Sequence, residues 1–283
     1  MATDFDPLHA IVEAVRALES DGRHILLVGA FARELTFDRA LGSGPHRATR
    51  DVDAGVEAAS WGEYDSLATT LVTKTRFRRL EPDGLTFVHD DGTQLDLLPF
   101  GGILDRNGLL RWPGNPSRTL SLQGFAAADA SSIVFDIGSI TIRVAALPNL
   151  VALKLIAYRD RGQRTSKDLE DLDFIVNRAS IVLHDRVFTE LDGETLQELE
   201  YDNLGAHLLG QDMTRTMGAA EASSLVTIID TSILCPPEYL ALGHTVGSSN
   251  LDSSIARFEA LRAGLLHARR HEEPGANGYQ RTR

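Results

Sequence analysis

Cysteine is nearly absent: Cys235 stands alone in 283 residues. A single cysteine excludes an internal disulfide and any cysteine-rich zinc site. It precedes Pro236-Pro237 with no histidine nearby in sequence, and reads as structural. Long apolar runs are missing too, and none could span a bilayer. The opening MATDFDPLHA is acidic and lacks the basic-then-apolar order of a secretory signal. The chain therefore reads as cytoplasmic, with no membrane partner. Positive charge is in deficit, with 28 Lys and Arg against 40 Asp and Glu and a net charge of −12. That balance opposes broad nonspecific nucleic-acid binding but leaves room for local basic patches. Two such patches are KTRFRRL (74–80) and RDRGQRTSK (159–167). The histidines are scattered without metal-ligand spacing. A G-x-S-x-G nucleophile signature, internal repeats and low-complexity segments are all missing.

What is present divides the chain into two halves. DPLHAIVEAVRALES (6–20) has helical spacing, HILLVG (24–29) reads as a buried strand, and AFARELTFDRAL (30–41) reads as the helix that follows. GSGPH (42–46) is a loop, DVDAGV a strand, and WGEYDSLATTLVTK (61–74) a helix. Residues 76–100 read as three strands joined by PDG and DDG turns, and 133–145 as a further hairpin. Beyond Pro148 the pattern is helical to about residue 270. The expected organisation is an α+β domain over 1–146, a helical domain over 147–270 and a disordered polar tail over 271–283.

Chemistry concentrates in the first half. In RATRDVDAGV (47–56), Asp51 and Asp53 alternate with one valine, so they share a strand face with Cα atoms roughly 6.6 Å apart. Two carboxylates aimed at one spot repel unless a cation lies between them, and hard divalent ions take carboxylate oxygens. The plain alternative is a strand edge with two solvated acids. Asp96 interrupts an apolar strand in TQLDLLPF (93–100). An acid there is costly unless paired, metal-bound or turned to a wet face. Gly29 ends a strand and opens a helix, which offers free N–H groups to a phosphate or simply a tight turn. Lys154 is the only charge between Val151 and Tyr158 on a helix whose apolar positions are Leu147, Leu150, Val151, Leu155 and Tyr158. It must reach the rim or meet an anion. Asp168 and Asp171 follow the Thr165/Ser166 cap, where acids favour a helix N-terminus.

In this order, VGAFAREL (28–35), RATRDVDAGV and TQLDLLPF resemble the nucleotidyltransferase superfamily of the DNA polymerase β type. LPNLVALKLIAYRDRGQRTSKDLEDLDFIV (147–176) is similar to its AbiEii-type branch of toxin-like enzymes, whose plan MenT-like toxins share. The resemblance covers about residues 24–176. It implies a polymerase β-like mixed sheet followed by helices. It also implies transfer of a nucleoside monophosphate from a triphosphate such as ATP, assisted by Mg2+ or Mn2+. On this resemblance Asp51, Asp53 and Asp96 hold the metal, and with Lys154 and Asp168 they form the catalytic set. Gly29, Ala30, Arg33, Arg50 and Lys154 are the nucleotide contacts. An RNA acceptor, tRNA included, and a cognate antitoxin are the partners implied, with both basic patches turned to the RNA.

The chain departs from the pattern at Gly29-Ala30, where relatives carry Gly-Gly or Gly-Ser. The missing serine leaves phosphate contact to backbone N–H groups or to Ser43. Arg47 and Arg50 flank the acid pair and either meet phosphate or pair with acids. Transfer to a small molecule or a protein is a second enzyme reading. A nucleotide-binding module without turnover is a third reading, from a different class.

Overall fold

The computed structural model describes residues 7–42, 51–137, 140–161, 166–235, 239–247 and 250–272. The GSG loop with Ser43, and Arg47, Arg50, Thr165 and the 273–283 tail, lie outside the described residues. The chain forms two compact units, Met1–Leu172 and Asp173–Arg283. Their boundary falls inside a helix, whereas the sequence reading divided the chain at 146/147.

The first unit is built on a seven-stranded mixed sheet. Its strands are β1 (Ile25–Val28), β2 (Asp51–Glu57), β3 (Phe77–Arg79), β4 (Thr86–His89), β5 (Gln94–Phe100), β8 (Ile133–Ile137) and β9 (Ile140–Val144). The spatial order is β3-β4-β5-β2-β1-β9-β8. Central β1, ILLV, is buried at every position, as a strand covered on both faces must be. It runs antiparallel to β2 and parallel to β9, while β2 runs parallel to β5. Alternation in β2 buries Val52, Ala54 and Val56 on the core face and turns Asp51 and Asp53 to the other. In β5, Leu95 and Leu97 are buried while Asp96 shares its face with Leu98.

Helix α1 (Pro7–Glu19) buries Ile11, Ala14, Val15 and Leu18, one apolar stripe at helical spacing. Helix α3 (Trp61–Lys74) begins at a cap in which Ser60 Oγ accepts from the Glu63 N–H at 3.3 Å. Tyr64 Oη then donates to the Leu97 carbonyl at 2.9 Å, tying α3 to β5 beside Asp96. Helix α2 (Gly29–Arg33) continues as a π-helical stretch, Glu34–Asp38, where the sequence reading had one regular helix. The wider turn aligns residues five apart, and Arg33 Nε lies 3.4 Å from Asp38 Oδ1. Residues 101–132, to which sequence patterning assigned nothing, hold a hairpin of β6 (Leu109–Trp112) and β7 (Asn115–Ser121), then α4 (Phe125–Ala130). Helix α5 (Leu147–Arg161) completes the unit, with the first residues of α6 (Lys167–Val182).

The second unit is helical: the rest of α6, then α7 (His184–Glu190), α8 (Gly193–Glu198), α9 (Tyr201–Met217), α10 (Ala219–Ser232), α11 (Tyr239–Val246) and α12 (Leu251–Glu272). Helix α9 is buried at every position from Leu204 to Thr214, as the central rod of a bundle is. Helix α12 crosses it closely. A Cβ at Gly264 would overlap the His207 carbonyl, so only glycine permits this approach.

Candidate active site

The parallel pairing of β2 and β5 places Asp53 directly opposite Asp96, about 4.8 Å apart at the Cα level. The antiparallel pairing of β1 and β2 places Asp53 opposite Val28, the last residue before Gly29. Gly29 has φ +69°, and a Cβ there would run into the Asp53 carboxylate. The glycine is therefore required twice: by its left-handed backbone and by the acid packed against it. Thr86 Oγ1 donates to Asp96 Oδ1 at 2.6 Å, which orients that carboxylate from β4.

These groups open onto a cavity of about 250 Å³. Gly29, Asp53, Asp96, Lys154 and Asp168 all line it, five of the residues singled out from sequence. Apolar walls come from Leu98, Leu120, Phe125, Leu150 and Leu153, with polar groups from Ser121 and Gln123. On α5, the cavity residues Leu150, Ala157 and Arg161 lie four, three and seven positions from Lys154. Val151, Leu155 and Tyr158, placed on the lysine's face by spacing, are buried instead.

Lys154 Nζ donates to Asp168 Oδ1 at 3.2 Å and to Asp171 Oδ2 at 2.5 Å. Arg161 Nε donates to Asp168 Oδ2 at 2.7 Å. Arg33 Nη1 donates to Asp171 Oδ1 at 2.5 Å from a side chain that is almost wholly buried. The result is a chain of alternating charge, Arg161–Asp168–Lys154–Asp171–Arg33. Both acids thus do more than begin a helix: their carboxylates clamp the lysine.

Electrostatics separates the two acid groups. Burial pushes the Asp53 carboxyl up, and the facing Asp96 charge adds to this. Lys154 and Arg161 pull the other way, and the balance is about 6. Burial also acts to raise Asp168, but the Arg161 hydrogen bond and the Lys154 charge outweigh it and hold the carboxyl below its ordinary range. Asp171 is lowered in the same way, against its burial, by Lys154 and then Arg33. Asp168 and Asp171 are already neutralised by cations, whereas Asp53 and Asp96 face each other and favour a positive charge between them.

Asp51 is exposed at the start of β2, opposite Gln94, and lies outside the cavity wall. Among the described residues no three His, Cys, Asp or Glu side chains come together as a metal cluster. Two converging carboxylates still fit a magnesium-type ion, which ordinarily takes one or two protein carboxylates and completes its shell with phosphate and water. Arg33 and Ala30 do not line the cavity; Arg33 connects to it through Asp171 and Lys154. Sequence reasoning missed Thr86, Ser121 and Gln123, and it placed Arg161 with Arg159 in a basic patch turned to RNA rather than at the cavity. The signal for Arg161 was its position seven residues after Lys154, two turns along one helix.

A buried carboxyl raised toward 6 with a second acid facing it, a close glycine turn and a clamped lysine stand around one small cavity. Residues 15–223 match the family described as nucleotidyl transferase AbiEii toxin, type IV toxin–antitoxin system, and the chain belongs to that family. No curated protein sequence matches the chain. Among solved structures, the solution structure of the antibiotic-resistance factor ANT(2'')-Ia is 11% identical, covers 95% of this chain and 100% of its own, and has a TM-score of 0.33. ANT(2'')-Ia in complex with adenylyl-2''-tobramycin is 12% identical over 77% of this chain and 97% of its own, with a TM-score of 0.39. An antigenic nucleotidyltransferase-like protein from Paracoccidioides brasiliensis is 15% identical over 82% and 96%, also at 0.39. No described helix is long and apolar enough to cross a membrane.

Proposed function

We propose that this nucleotidyltransferase moves a nucleoside monophosphate from a nucleoside triphosphate onto a hydroxyl of RNA, a tRNA end being the first candidate. The observation that carries the reading is the register pairing of Asp53 with Asp96 at the wall of a cavity that also holds Lys154. Asp53 and Asp96, with Asp51 beside them on the same strand face, are the residues that would hold Mg2+ or Mn2+. A bound divalent ion supplies charge neutralisation on the triphosphate and a lowered pKa for the attacking hydroxyl.

The chain's own residues do the rest. Lys154 is held by Asp168 and Asp171 at a defined point on the cavity wall, where it meets phosphate charge. Gly29 brings the backbone close to Asp53 without a side chain in the way. The hydroxyl oxygen bonds to the α-phosphorus, the bond from that phosphorus to the α–β bridging oxygen breaks, and pyrophosphate leaves. The hydroxyl proton passes to the Asp96 carboxylate and on to water. Apolar walls from Leu98, Leu120 and Phe125 exclude water from the transfer and give a base or sugar an apolar surface. A cognate antitoxin is the partner that family membership implies.

The test uses four α-labelled triphosphates with magnesium, total RNA and, separately, a panel of aminoglycosides. Label entering RNA with one preferred triphosphate supports the reading. Label entering only an aminoglycoside overturns the RNA acceptor and keeps the transferase.

A further inference from the structure

Asp96 lines a second cavity, of about 280 Å³, that shares Leu98 and Leu120 with the first. One carboxylate therefore stands between two spaces. The far wall of the second is the β6–β7 hairpin, through Trp112 and Arg118. The Arg118 guanidinium lies over the Trp112 indole at 4.3 Å from the ring centroid. Trp112 is itself locked: its indole N–H donates to the Asp83 carbonyl at 3.0 Å, and it packs on Trp61 with ring centroids 5.6 Å apart. The platform is thus rigid beneath an exposed guanidinium.

Both basic patches read from sequence are largely satisfied by the chain's own acids. Lys74 pairs with Asp21, Arg76 with Glu13, Arg79 with Asp65, and Arg161 with Asp168. Arg118 is different: among the described residues its guanidinium rests on the indole face.

We propose that this second cavity is the acceptor subsite, and that Arg118 on Trp112 is a stacking and phosphate-binding platform for the terminal nucleotide of a single-stranded RNA. The inference rests on the nucleotidyltransferase reading above and names where its acceptor sits. A planar cation on an aromatic face offers a base a second plane to stack on, and its N–H edge stays free for a phosphate oxygen. Glu81 at the rim adds an exposed hydrogen-bond acceptor for a base amino group. A nucleotide seated here presents its hydroxyl to Asp96, across from the triphosphate.

The test measures anisotropy of a 5′-fluorescein single-stranded RNA dodecamer, and the KM for tRNA in the labelled transfer reaction. Wild type is compared with Arg118→Ala, Arg118→Lys and Arg118→Glu. Arg118→Ala is expected to weaken RNA binding and raise the RNA KM about tenfold or more. Arg118→Lys falls between, because charge stays and the plane is lost, and Arg118→Glu is the weakest. The Kd for triphosphate and the Tm are read alongside. An unchanged RNA KM in Arg118→Ala, with wild type labelling RNA, overturns the subsite alone. A parallel loss of triphosphate affinity overturns it too, by assigning Arg118 to the donor. A wild-type chain that labels no RNA overturns the activity on which the subsite rests.

Discussion

Replacing Arg33 by alanine separates a structural role from a nucleotide-binding one. Its side chain is 2% exposed, and its guanidinium meets Asp171 Oδ1 at 2.5 Å and Asp38 Oδ1 at 3.4 Å. Asp38 and Asp171 are buried as well. Removing the cation leaves two carboxylates out of water with less positive charge, a loss in the range of about 3–5 kcal/mol. Asp171 keeps Lys154 at 2.5 Å, so the lower end applies, about 3 kcal/mol. For a unit of this size that lowers Tm by about 6–12 °C. The nucleotide does not touch Arg33 in this account, so triphosphate affinity in the folded variant falls less than tenfold, through a looser Lys154. Thermal denaturation and calorimetric titration with a non-hydrolysable triphosphate measure both. The double variant Arg33→Ala/Asp171→Asn recovers part of the lost stability, because the stranded charge is gone. A Tm within about 2 °C of wild type together with a more than tenfold loss of nucleotide affinity would rule out a purely structural Arg33. It would also return Arg33 to the nucleotide.

Asp53→Asn is expected to remove transfer activity yet raise the Tm of the metal-free protein at pH 7. A carboxyl raised to about 6 binds its proton more tightly folded than unfolded. Stability is therefore present at low pH and lost as pH rises from the ordinary Asp value toward 6, by about 3 kcal/mol. Magnesium titrations from pH 5 to 8 should show wild-type affinity falling about tenfold per pH unit below 6, as protons compete for Asp53. Gly29→Ala should abolish triphosphate-dependent metal binding, because φ +69° and the Asp53 carboxylate both oppose a Cβ; a variant with normal activity and Tm would contradict the close approach. In the second unit, burial pushes the His207 imidazole down to about 4, with the His267 charge adding to this. Its unfolded form takes a proton near 6.5, so stability present at neutral pH is lost as pH falls through that window, and His207→Gln should flatten acid unfolding between pH 6.5 and 4.

The strand acids were legible because period-two alternation shows which residues share a face. An acid inside LDLL is conspicuous for that reason. Alternation does not say which strand lies alongside. The pairing of Asp53 with Asp96, and the Thr86 hydroxyl on Asp96, come from strands distant in sequence and appear only in the sheet. Lys154 was legible as a lone charge on an apolar helix, in a chain with just three lysines. Arg33 was a nucleotide contact only by resemblance; the π-helical turn and Asp171, 138 positions away, draw its side chain inward. The hairpin carrying Arg118 went unread because β6 has only four residues and β7, NPSRTLS, carries a single leucine, so no alternation marks either. The 74–79 patch looked like an RNA surface, yet its partners Asp21, Glu13 and Asp65 lie on other elements or other turns.

Pyrophosphate release is the most direct test of the Asp53–Asp96 centre. It is followed with total RNA, magnesium and each triphosphate in turn, for wild type, Asp53→Asn and Asp96→Asn. All three proteins are first checked for a cooperative Tm. Magnesium-dependent release by wild type is expected, with loss of at least a hundredfold, on the order of 3 kcal/mol, in both folded variants. Turnover at the wild-type rate in either variant would contradict it.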